Sequence, residues 1–216
     1  MESVGKRCYI AGAGDFTGLY MPGPGDYVIA ADGGYARLVS LGIIPDLVVG
    51  DFDSLGSVPD HPNTILSPVE KDDTDMMLAV KQGLARGYSS FIIDGGLDGR
   101  LDHTLANIQV LAYMSANAAR GVLLGRDMSV TAVTNGSVVF RPNAAGRISV
   151  FGFDGRAEGV TLTGLKYALE NAALTSDYPL GISNEFTGKI SGVSVRTGTL
   201  IVMWTGGPDC LEDCRV

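Results

Sequence analysis

Cysteines, basic residues and long apolar runs are all scarce in this sequence of 216 residues. Its three cysteines, Cys8, Cys210 and Cys214, are too few for a disulfide framework. Cys8 fits a buried strand, and we interpret the other two as incidental. The 16 basic residues against 24 acidic ones give a net charge of −8, which argues against a nucleic-acid partner. A nucleotide remains compatible with this charge, because metal ions can neutralise a polyphosphate and an acidic site together.

The lack of long apolar runs also bears on cellular location. No run approaches the length of a membrane-spanning helix. Residues 1–7 lead directly into a strand-like segment rather than into the apolar core of a signal peptide. The sequence therefore predicts a cytoplasmic protein without a membrane partner.

The first 134 residues alternate predicted strands with predicted helices. The strands are predicted at 8–11, 27–31, 47–49, 64–66, 91–94, 121–124 and 129–133. The helices are predicted at 35–41, after Asp75 to about residue 86, and from 101 onward, with Gly42 and Gly87 as the stops of the first two. The buried stripes are predicted to be Met77, Val80 and Leu84 on the second helix, and Leu101, Leu105, Ile108 and Leu111 on the third. This alternation predicts an α/β domain with a parallel sheet, in which ligands bind outside the carboxyl ends of the strands.

After about residue 135 the pattern changes to short β-branched segments separated by Gly, Pro, Asn or Asp. Strands are predicted at 137–140, 147–151, 159–163, 193–195 and 199–204, and 167–171 could form a single helical turn. This pattern predicts an antiparallel β domain over 135–216, as a sandwich or part of a jelly roll.

Two alternate carboxylates, Asp51 and Asp53, follow the buried strand at 47–49. Residues two apart in an extended segment point to the same side, so the two carboxylates would repel each other unless a cation lies between them. Mg²⁺ binds one or two carboxylates together with substrate phosphates, and it suits this pair. A polar turn in which Asp53 caps the following segment is the alternative. Asp32 and Asp94 also follow strands at the same end of the sheet, which favours a site there.

A second acidic cluster, Lys71-Asp72-Asp73-Thr74-Asp75, precedes the second helix. Asp73 or Thr74 could cap that helix, and carboxylates suit its first turn. The cluster nevertheless contains more polar residues than a cap requires. A cation for phosphate oxygens and a further carboxylate for the metal form the competing interpretation.

A third polar segment runs from Gly95 to His103. Its glycines allow the backbone to approach a ligand closely, and Arg100 can bind phosphate through two N–H groups. Asp102 could equally cap the helix that begins there. A single histidine at a helix start, such as His103, is more often structural than catalytic.

The predicted β domain contributes neutral polar groups and one tryptophan. Ser183 and Asn184 offer hydrogen-bonding groups after Gly181. Trp204 ends the final strand, and a buried tryptophan usually belongs to a core, although its face can also cover a cationic heterocycle. The residues alone favour the core.

Taken together, these motifs resemble those of the thiamine pyrophosphokinase family, especially its bacterial forms. The matching segments run in order from about Tyr9 to Trp204. They are Ala31-Asp32-Gly33-Gly34, Pro45-Asp46, Gly50-Asp51-Phe52-Asp53-Ser54, Lys71-Asp72-Asp73-Thr74-Asp75, Gly99-Arg100-Leu101-Asp102-His103 with Asn107, Gly164-Leu165-Lys166-Tyr167 and Ile182-Ser183-Asn184-Glu185. The resemblance implies an α/β nucleotide-binding domain at 1–134 and a β-sandwich thiamine-binding domain at 135–216. It also implies a homodimer that shares the thiamine site between subunits.

The reaction implied by the resemblance is the Mg²⁺-dependent transfer of pyrophosphate from ATP to the hydroxyethyl oxygen of thiamine, which releases AMP. Each implied role belongs to a position that matches a family motif. The metal-binding carboxylates are matched by Asp51, Asp53 and Asp75. Positions around ATP and the reacting hydroxyl are matched by Asp32, Gly33, Lys71, Asp72, Arg100, Asp102 and His103. Among these, Asp102 is the candidate general base, and Lys71, Asp72 and Arg100 are further catalytic candidates. The thiamine-binding positions are matched by Ser183, Asn184 and, as a stacking aromatic, Trp204.

Two other classes fit part of the pattern. Phosphatases of the haloacid-dehalogenase type also carry Asp-x-Asp after a strand. There the motif follows the first strand and a helical cap is common, whereas here it follows the third strand and a β domain ends the chain. A binding protein that had lost catalysis would bind thiamine and form no AMP. The presence of all the carboxylates argues against that alternative.

Overall fold

The chain forms two compact units, each described separately below. The structure is a computed structural model that describes residues 6–53, 56–68 and 72–212. Ser54 and Lys71 lie outside the described residues. The first unit is drawn from Met1–Val110 and Ala119–Arg126, and the second from Leu111–Ala118 and Asp127–Val216.

The first unit contains a parallel sheet. Its strands are β1 (Cys8–Ala11), β2 (Tyr27–Ala31), β3 (Leu47–Gly50), β4 (Thr64–Leu66), β5 (Ser90–Asp94) and β6 (Arg120–Leu124), in the spatial order β6-β5-β1-β2-β3-β4. Apart from β4, these strands are almost entirely buried, which is typical of parallel strands covered on both faces.

The register of this sheet brings several loops to one edge. Ala11 at the end of β1 pairs with Ala30 on one side and with Asp94 on the other. Ala31 at the end of β2 pairs with Val49 of β3. Because the strands are parallel, the loops that follow β1, β2, β3 and β5 leave the sheet side by side. This edge carries the acidic residues that the sequence places after strands.

Three helices accompany these strands, namely α1 (Gly34–Ser40), α2 (Asp75–Ala85) and α3 (Leu101–Ala116). The two predicted glycine stops are confirmed. Gly42 and Gly87 adopt φ of 72° and 84°, a left-handed conformation that glycine adopts without a Cβ penalty. At each stop the following residue donates its backbone N–H back to the helix, from Ile43 to Leu38 O and from Tyr88 to Gly83 O.

The buried faces of α2 and α3 differ from the predicted stripes. On α2 the buried residues are Met76, Ala79, Val80 and Gly83, so Val80 was predicted correctly and Met77 and Leu84 were not. The close approach of the helix to the sheet explains the difference, since a Cβ at Gly83 would lie 2.4 Å from the ring of Phe91. On α3, Leu111 is buried, but Leu101 and Leu105 are 82% and 55% exposed. Val110 and Met114 are buried instead.

The second unit contains two sets of antiparallel strands. Its strands are β7 (Met128–Thr134), β8 (Ser137–Phe140), β9 (Arg147–Gly152), β10 (Arg156–Thr163), β11 (Leu169–Thr175), β12 (Gly181–Glu185), β13 (Ser191–Ser194) and β14 (Thr199–Thr205). In one sheet the order is β12-β9-β14-β7, and in the separate sheet it is β11-β10-β13-β8. The chain thus combines α/β structure with a separate antiparallel sheet.

The core of the second unit is built on aromatic side chains from both of its sheets. Trp204 on β14 lies edge-on to Phe140 on β8, with ring centroids 5.4 Å apart. Phe140 also contacts Phe186, at 5.1 Å between centroids. Trp204 is 1% exposed and donates its indole N–H to Gly207 O at 3.1 Å. This satisfies the one polar atom that burial of the ring removes from water.

Two strands of the second unit were not predicted. The suggested helical turn at 167–171 is wrong, because residues from Leu169 onward pair with β10 as strand β11. Polar and small residues in β11 and β12 obscure the alternation of apolar and polar residues that is typical of strands. Each strand also contains a non-glycine residue with positive φ, Asn171 in β11 and Ser183 in β12. Among the helices that the structure describes, none is long and apolar enough to cross a membrane.

Candidate functional site

Three carboxylates meet at the carboxyl edge of the parallel sheet. Asp32 follows β2, and Asp51 and Asp53 follow β3. Their carboxylate oxygens include a set of three that all lie within 4.8 Å of one another. Asp32 and Asp51 are half-buried and Asp53 is exposed. The site is therefore open on the side of Asp53.

The local backbone explains how these residues approach one another. Asp32 donates its N–H to Val49 O at 2.8 Å, which ties the end of β2 to β3. A Cβ at Gly50 would lie 3.1 Å from the Asp32 Cα, so a side chain there would crowd Asp32. Phe52, between the two other carboxylates, is 2% exposed and has φ of 60°. Burial of the Phe52 ring thus anchors a tight turn that leaves both flanking carboxylates at the edge.

The donor set suits a hard divalent cation. Three carboxylates at this separation repel one another, and the repulsion is strongest where water is partly excluded. The backbone N–H of Asp53 lies 3.3 Å from Asp51 Oδ1. Oxygen-only ligands are typical of Mg²⁺ and Ca²⁺ sites. The residues present therefore fit a Mg²⁺ ion.

Asp75, predicted as the third metal ligand, does not belong to this group of three. The group consists of Asp32, Asp51 and Asp53. Asp75 is nevertheless connected to the same edge through Ser67. The Ser67 N–H donates to Gly50 O at 2.9 Å, and the Ser67 hydroxyl lies 3.4 Å from Asp75 Oδ1.

Thr74 and Asp73 of the second acidic cluster each have a partner within the chain. Thr74 is the cap of α2, because its Oγ1 accepts the N–H of Met77 at 3.1 Å. Asp73 pairs with Lys81 at 2.6 Å. Asp72 is exposed. The local explanation of the cluster therefore accounts for Thr74 and Asp73.

Arg100 and Asp102 form a two-point ion pair at the start of α3. The Arg100 Nη2 lies 2.7 Å from Asp102 Oδ2, and the Nε lies 3.2 Å from Oδ1. The hydrogen bond from Arg100 lowers the pKa of the Asp102 carboxyl below its ordinary value. Both side chains are exposed, as is His103. Among the described residues of this segment, the arginine and the carboxylate hold each other in place.

Asp94 forms a clamp beside this edge that the motifs alone did not predict. Its side chain is completely buried, and it accepts N–H groups from Thr17 at 3.1 Å and from Gly95 at 2.9 Å. Burial raises the pKa of this carboxyl, and the hydrogen bonds partly oppose that shift. The clamp holds the loop after β1 against the loop after β5, where Gly12 donates its N–H to Asp94 O at 2.7 Å. Thr17 lies in a loop rich in glycine and proline and gave no signal of this role.

The predicted thiamine-binding residues of the second unit have very different surroundings. Ser183 is exposed and adopts φ of 58° on β12. Asn184 is 4% exposed, and its amide bonds to the backbone. Trp204 is buried in the core, so its ring has no free face for a ligand in this chain. The residue-based preference for a core tryptophan agrees with that position.

Gly33, predicted near ATP, directly precedes α1.

Comparison with known proteins assigns the chain to a family. The family descriptions "Thiamin pyrophosphokinase, catalytic domain" and "Thiamin pyrophosphokinase, vitamin B1 binding domain" match residues 24–123 and 140–202. The thiamine pyrophosphokinase of Bacillus subtilis is 31% identical over 182 residues, which cover 81% of this chain and 85% of the relative.

Solved structures are similar to this chain over nearly its whole length. The crystal structure of the thiamine pyrophosphokinase from Bacillus subtilis has a TM-score of 0.81 at 27% identity and covers 93% of this chain and 99% of its own. A thiamin pyrophosphokinase family protein from Enterococcus faecalis has a TM-score of 0.77 at 28% identity, with coverages of 93% and 98%. From these matches and the motifs, the chain belongs to the thiamine pyrophosphokinase family.

Proposed function

We propose that this protein transfers the pyrophosphoryl group of ATP to the hydroxyethyl oxygen of thiamine and forms thiamine diphosphate and AMP. The observation that carries the proposal is the set of three carboxylates at the carboxyl edge of the parallel sheet. In a member of this family, such a set suits a metal-bound nucleotide rather than a solvated acidic surface. We place ATP binding in residues 1–134, as an α/β nucleotide-binding domain, and thiamine binding in a β-sandwich domain at 135–216.

Asp51, Asp53 and Asp32 are the described residues that would hold Mg²⁺. When bound, Mg²⁺ neutralises charge on the phosphate oxygens and on the AMP leaving group. Asp75 stays in the proposed set of ligands, because Ser67 connects it to Gly50, the residue before Asp51. Neutral amides at these positions would remove the charge that attracts the ion.

Arg100 and Asp102 have complementary roles in the proposed reaction. Arg100 binds phosphate oxygens through its planar guanidinium, with Lys71, Asp72, Gly33 and His103 completing the surroundings of the nucleotide. When Arg100 turns to phosphate, Asp102 loses its ion-pair partner, keeps the backbone N–H of His103 at 3.0 Å and can accept the proton of the thiamine hydroxyl. The oxygen of thiamine then attacks the β-phosphorus, the bond to the α-phosphate oxygen breaks, and AMP leaves.

We further propose a cytoplasmic homodimer in which the two subunits share each thiamine site. Ser183 supports this assignment of the acceptor to the second unit, because it presents an exposed hydroxyl on an irregular stretch of β12. The acidic character of the ATP site also suits thiamine, whose thiazolium ring is positively charged.

The experiment that tests the proposal measures AMP with ATP, Mg²⁺ and thiamine present together, and with each of them left out in turn. The proposal predicts AMP only in the complete mixture, and Asp51→Asn should abolish it. Asp60→Asn is the matched control, since Asp60 is exposed in the loop before β4. Release of inorganic phosphate without AMP would instead indicate a phosphatase. Thiamine binding without AMP would indicate a binding protein.

A further inference from the structure

Asn184 is a buried amide whose hydrogen-bonding capacity is used almost entirely inside the protein. Its Oδ1 accepts the backbone N–H of Tyr167 at 3.0 Å and that of Glu185 at 2.9 Å. Its Nδ2 donates to Tyr167 O at 2.7 Å. An amide has two acceptor lone pairs and two donor hydrogens, so at most one donor remains for a ligand. The side chain of Asn184 therefore hydrogen-bonds to both the N–H and the C=O of Tyr167, as the backbone of a neighbouring strand would.

The position of Asn184 on β12 explains this arrangement. Asn184 is the register partner of Ile148 in the neighbouring strand β9. Its side chain bonds to the segment that contains Tyr167. Lys166 N–H donates to Glu185 O at 3.0 Å, and Leu165 bridges to Phe186. The side chain of Asn184 thus extends a short ladder between 165–167 and 184–186 by one residue.

Further contacts fix the turn that precedes Tyr167. The carbonyl of Gly164 accepts the hydroxyls of Thr187 at 2.7 Å and Ser191 at 3.0 Å. Gly164 has φ of 68°, and a Cβ there would lie 2.1 Å from Ile190 O. The turn therefore requires glycine and has few alternative conformations.

The segment held in this way presents an aromatic ring to solvent. Tyr167 is 59% exposed, although its backbone is bound on both sides by Asn184. Lys166 lies with its Nζ 5.5 Å from the centre of the ring and pairs with Glu185 at 2.9 Å, so its charge is balanced. An exposed aromatic side chain on a fixed backbone is suited to stack on a flat heterocycle, because little conformational entropy is lost on binding.

We infer that Asn184 is a positioning residue and that the ring of Tyr167, rather than that of Trp204, stacks on the acceptor heterocycle. The inference rests on the proposed function, since thiamine is the acceptor that it assigns. Asn184 acts through Tyr167 and has no direct contact with the ligand. Ser183, the exposed neighbour of Asn184, is held by a bond from its own N–H to Ser149 Oγ at 3.1 Å and keeps its hydroxyl for the ligand.

The test is a double-mutant cycle on thiamine binding, measured by calorimetry so that turnover is not required. Tyr167→Ala should raise the Kd for thiamine about tenfold, whereas Tyr167→Phe should leave it nearly unchanged. Asn184→Ala should raise the Kd by a similar factor. In the double variant the two effects should not multiply, because the ring that Asn184 positions is already absent. The KM for ATP should stay constant in all of these variants.

The control is Tyr178→Ala, which removes another exposed tyrosine of the second unit, 67% exposed, and should leave the Kd unchanged. An unchanged Kd in Tyr167→Ala would overturn the inference, and that exposed side chain can be removed without threatening the fold. Fully multiplicative effects in the double variant would overturn the positioning role of Asn184. A wild-type protein that binds thiamine but forms no AMP would contradict the proposed function and leave this inference standing.

Discussion

Arg100 and Asp102 form an ion pair at the start of α3, with 2.7 Å between Arg100 Nη2 and Asp102 Oδ2. The same two groups are proposed to bind phosphate and to accept a proton. Neither group can perform its proposed task while the two are paired, so nucleotide binding must first separate them. Because both side chains are exposed, the pair is screened by water and is easily broken.

This relationship predicts the effect of neutralising Asp102. Asp102→Asn should lower kcat by about 10²-fold or more, as expected for loss of a general base. The KM for ATP should change little, because Arg100 is freed rather than removed. Steady-state kinetics with each substrate varied tests this, and a near-normal kcat would remove Asp102 from that role.

The same pair also predicts a pH effect. The hydrogen bond from Arg100 lowers the pKa of Asp102, so Asp102 is charged down to a lower pH than an ordinary aspartate. Arg100→Met should raise the pKa of Asp102 toward its ordinary value. A carbon-detected NMR titration of the nucleotide-free protein measures this directly. An unchanged pKa of Asp102 would show that the pair does not persist in solution.

The group of three carboxylates predicts that neutralising one of them raises the stability of the metal-free protein and weakens metal binding. Without a metal, Asp53→Asn removes repulsion with Asp32 and Asp51, so the metal-free protein should melt about 2 °C higher. With Mg²⁺ and ATP present, the variant should gain much less stability than the wild type does from the same ligands. Thermal unfolding with and without these ligands measures both effects, with Asp60→Asn as the control. A lower melting temperature for metal-free Asp53→Asn would contradict this account of the site.

The buried Asp94 clamp predicts a stability effect that depends on pH. Asp94→Ala should lower the free energy of unfolding by about 2–4 kcal/mol, because the N–H groups of Thr17 and Gly95 lose their acceptor.

Because burial raises the pKa of Asp94, the folded state binds its proton more tightly than the unfolded state does. This residue therefore contributes a stability that is greatest below the ordinary carboxyl pKa and falls as the pH rises through the folded pKa. Asp94→Asn should remove this part of the pH dependence. Urea unfolding of both proteins across that range tests it, and parallel curves would contradict the assignment.

The proposed sharing of the thiamine site predicts complementation between an inactive variant and a variant with weakened thiamine binding. Asp51→Asn disables the metal site, and Tyr167→Ala weakens acceptor binding on the other unit of the chain. If each site takes one part from each subunit, unfolding and refolding the two variants together should produce heterodimers with one intact site. At low thiamine, activity should then reach roughly a quarter of the wild-type value. No gain over the separate variants would indicate that each site lies within a single chain.

Much of the parallel sheet was predictable from the sequence, because its strands are short apolar runs that end in glycine or aspartate. The carboxylates of Asp51 and Asp53 were recognised from their spacing and their place after β3. The membership of Asp32 in the same group was less visible. It depends on the pairing of β2 with β3 and on the small size of Gly50, which are properties of the folded chain.

Other features could not be read from local pattern. The burial of Asn184 and the exposure of Tyr167 result from a ladder between segments 17 residues apart. Leu101 and Leu105 follow a helical stripe and yet are exposed, because periodicity identifies a face of a helix and not what covers that face. The clamp between Asp94 and Thr17 joins residues 77 positions apart, and no spacing in the sequence indicates it.

The fate of the two terminal phosphates of ATP tests the central claim most directly. Wild-type protein should be incubated with Mg²⁺, thiamine and ATP labelled at either the β- or the γ-phosphorus. Transfer of an intact pyrophosphoryl group predicts that both labels appear in thiamine diphosphate in equal amounts, with one unlabelled AMP formed for each product molecule. Labelled ADP as the product, release of labelled phosphate, or AMP formed without thiamine would contradict the account.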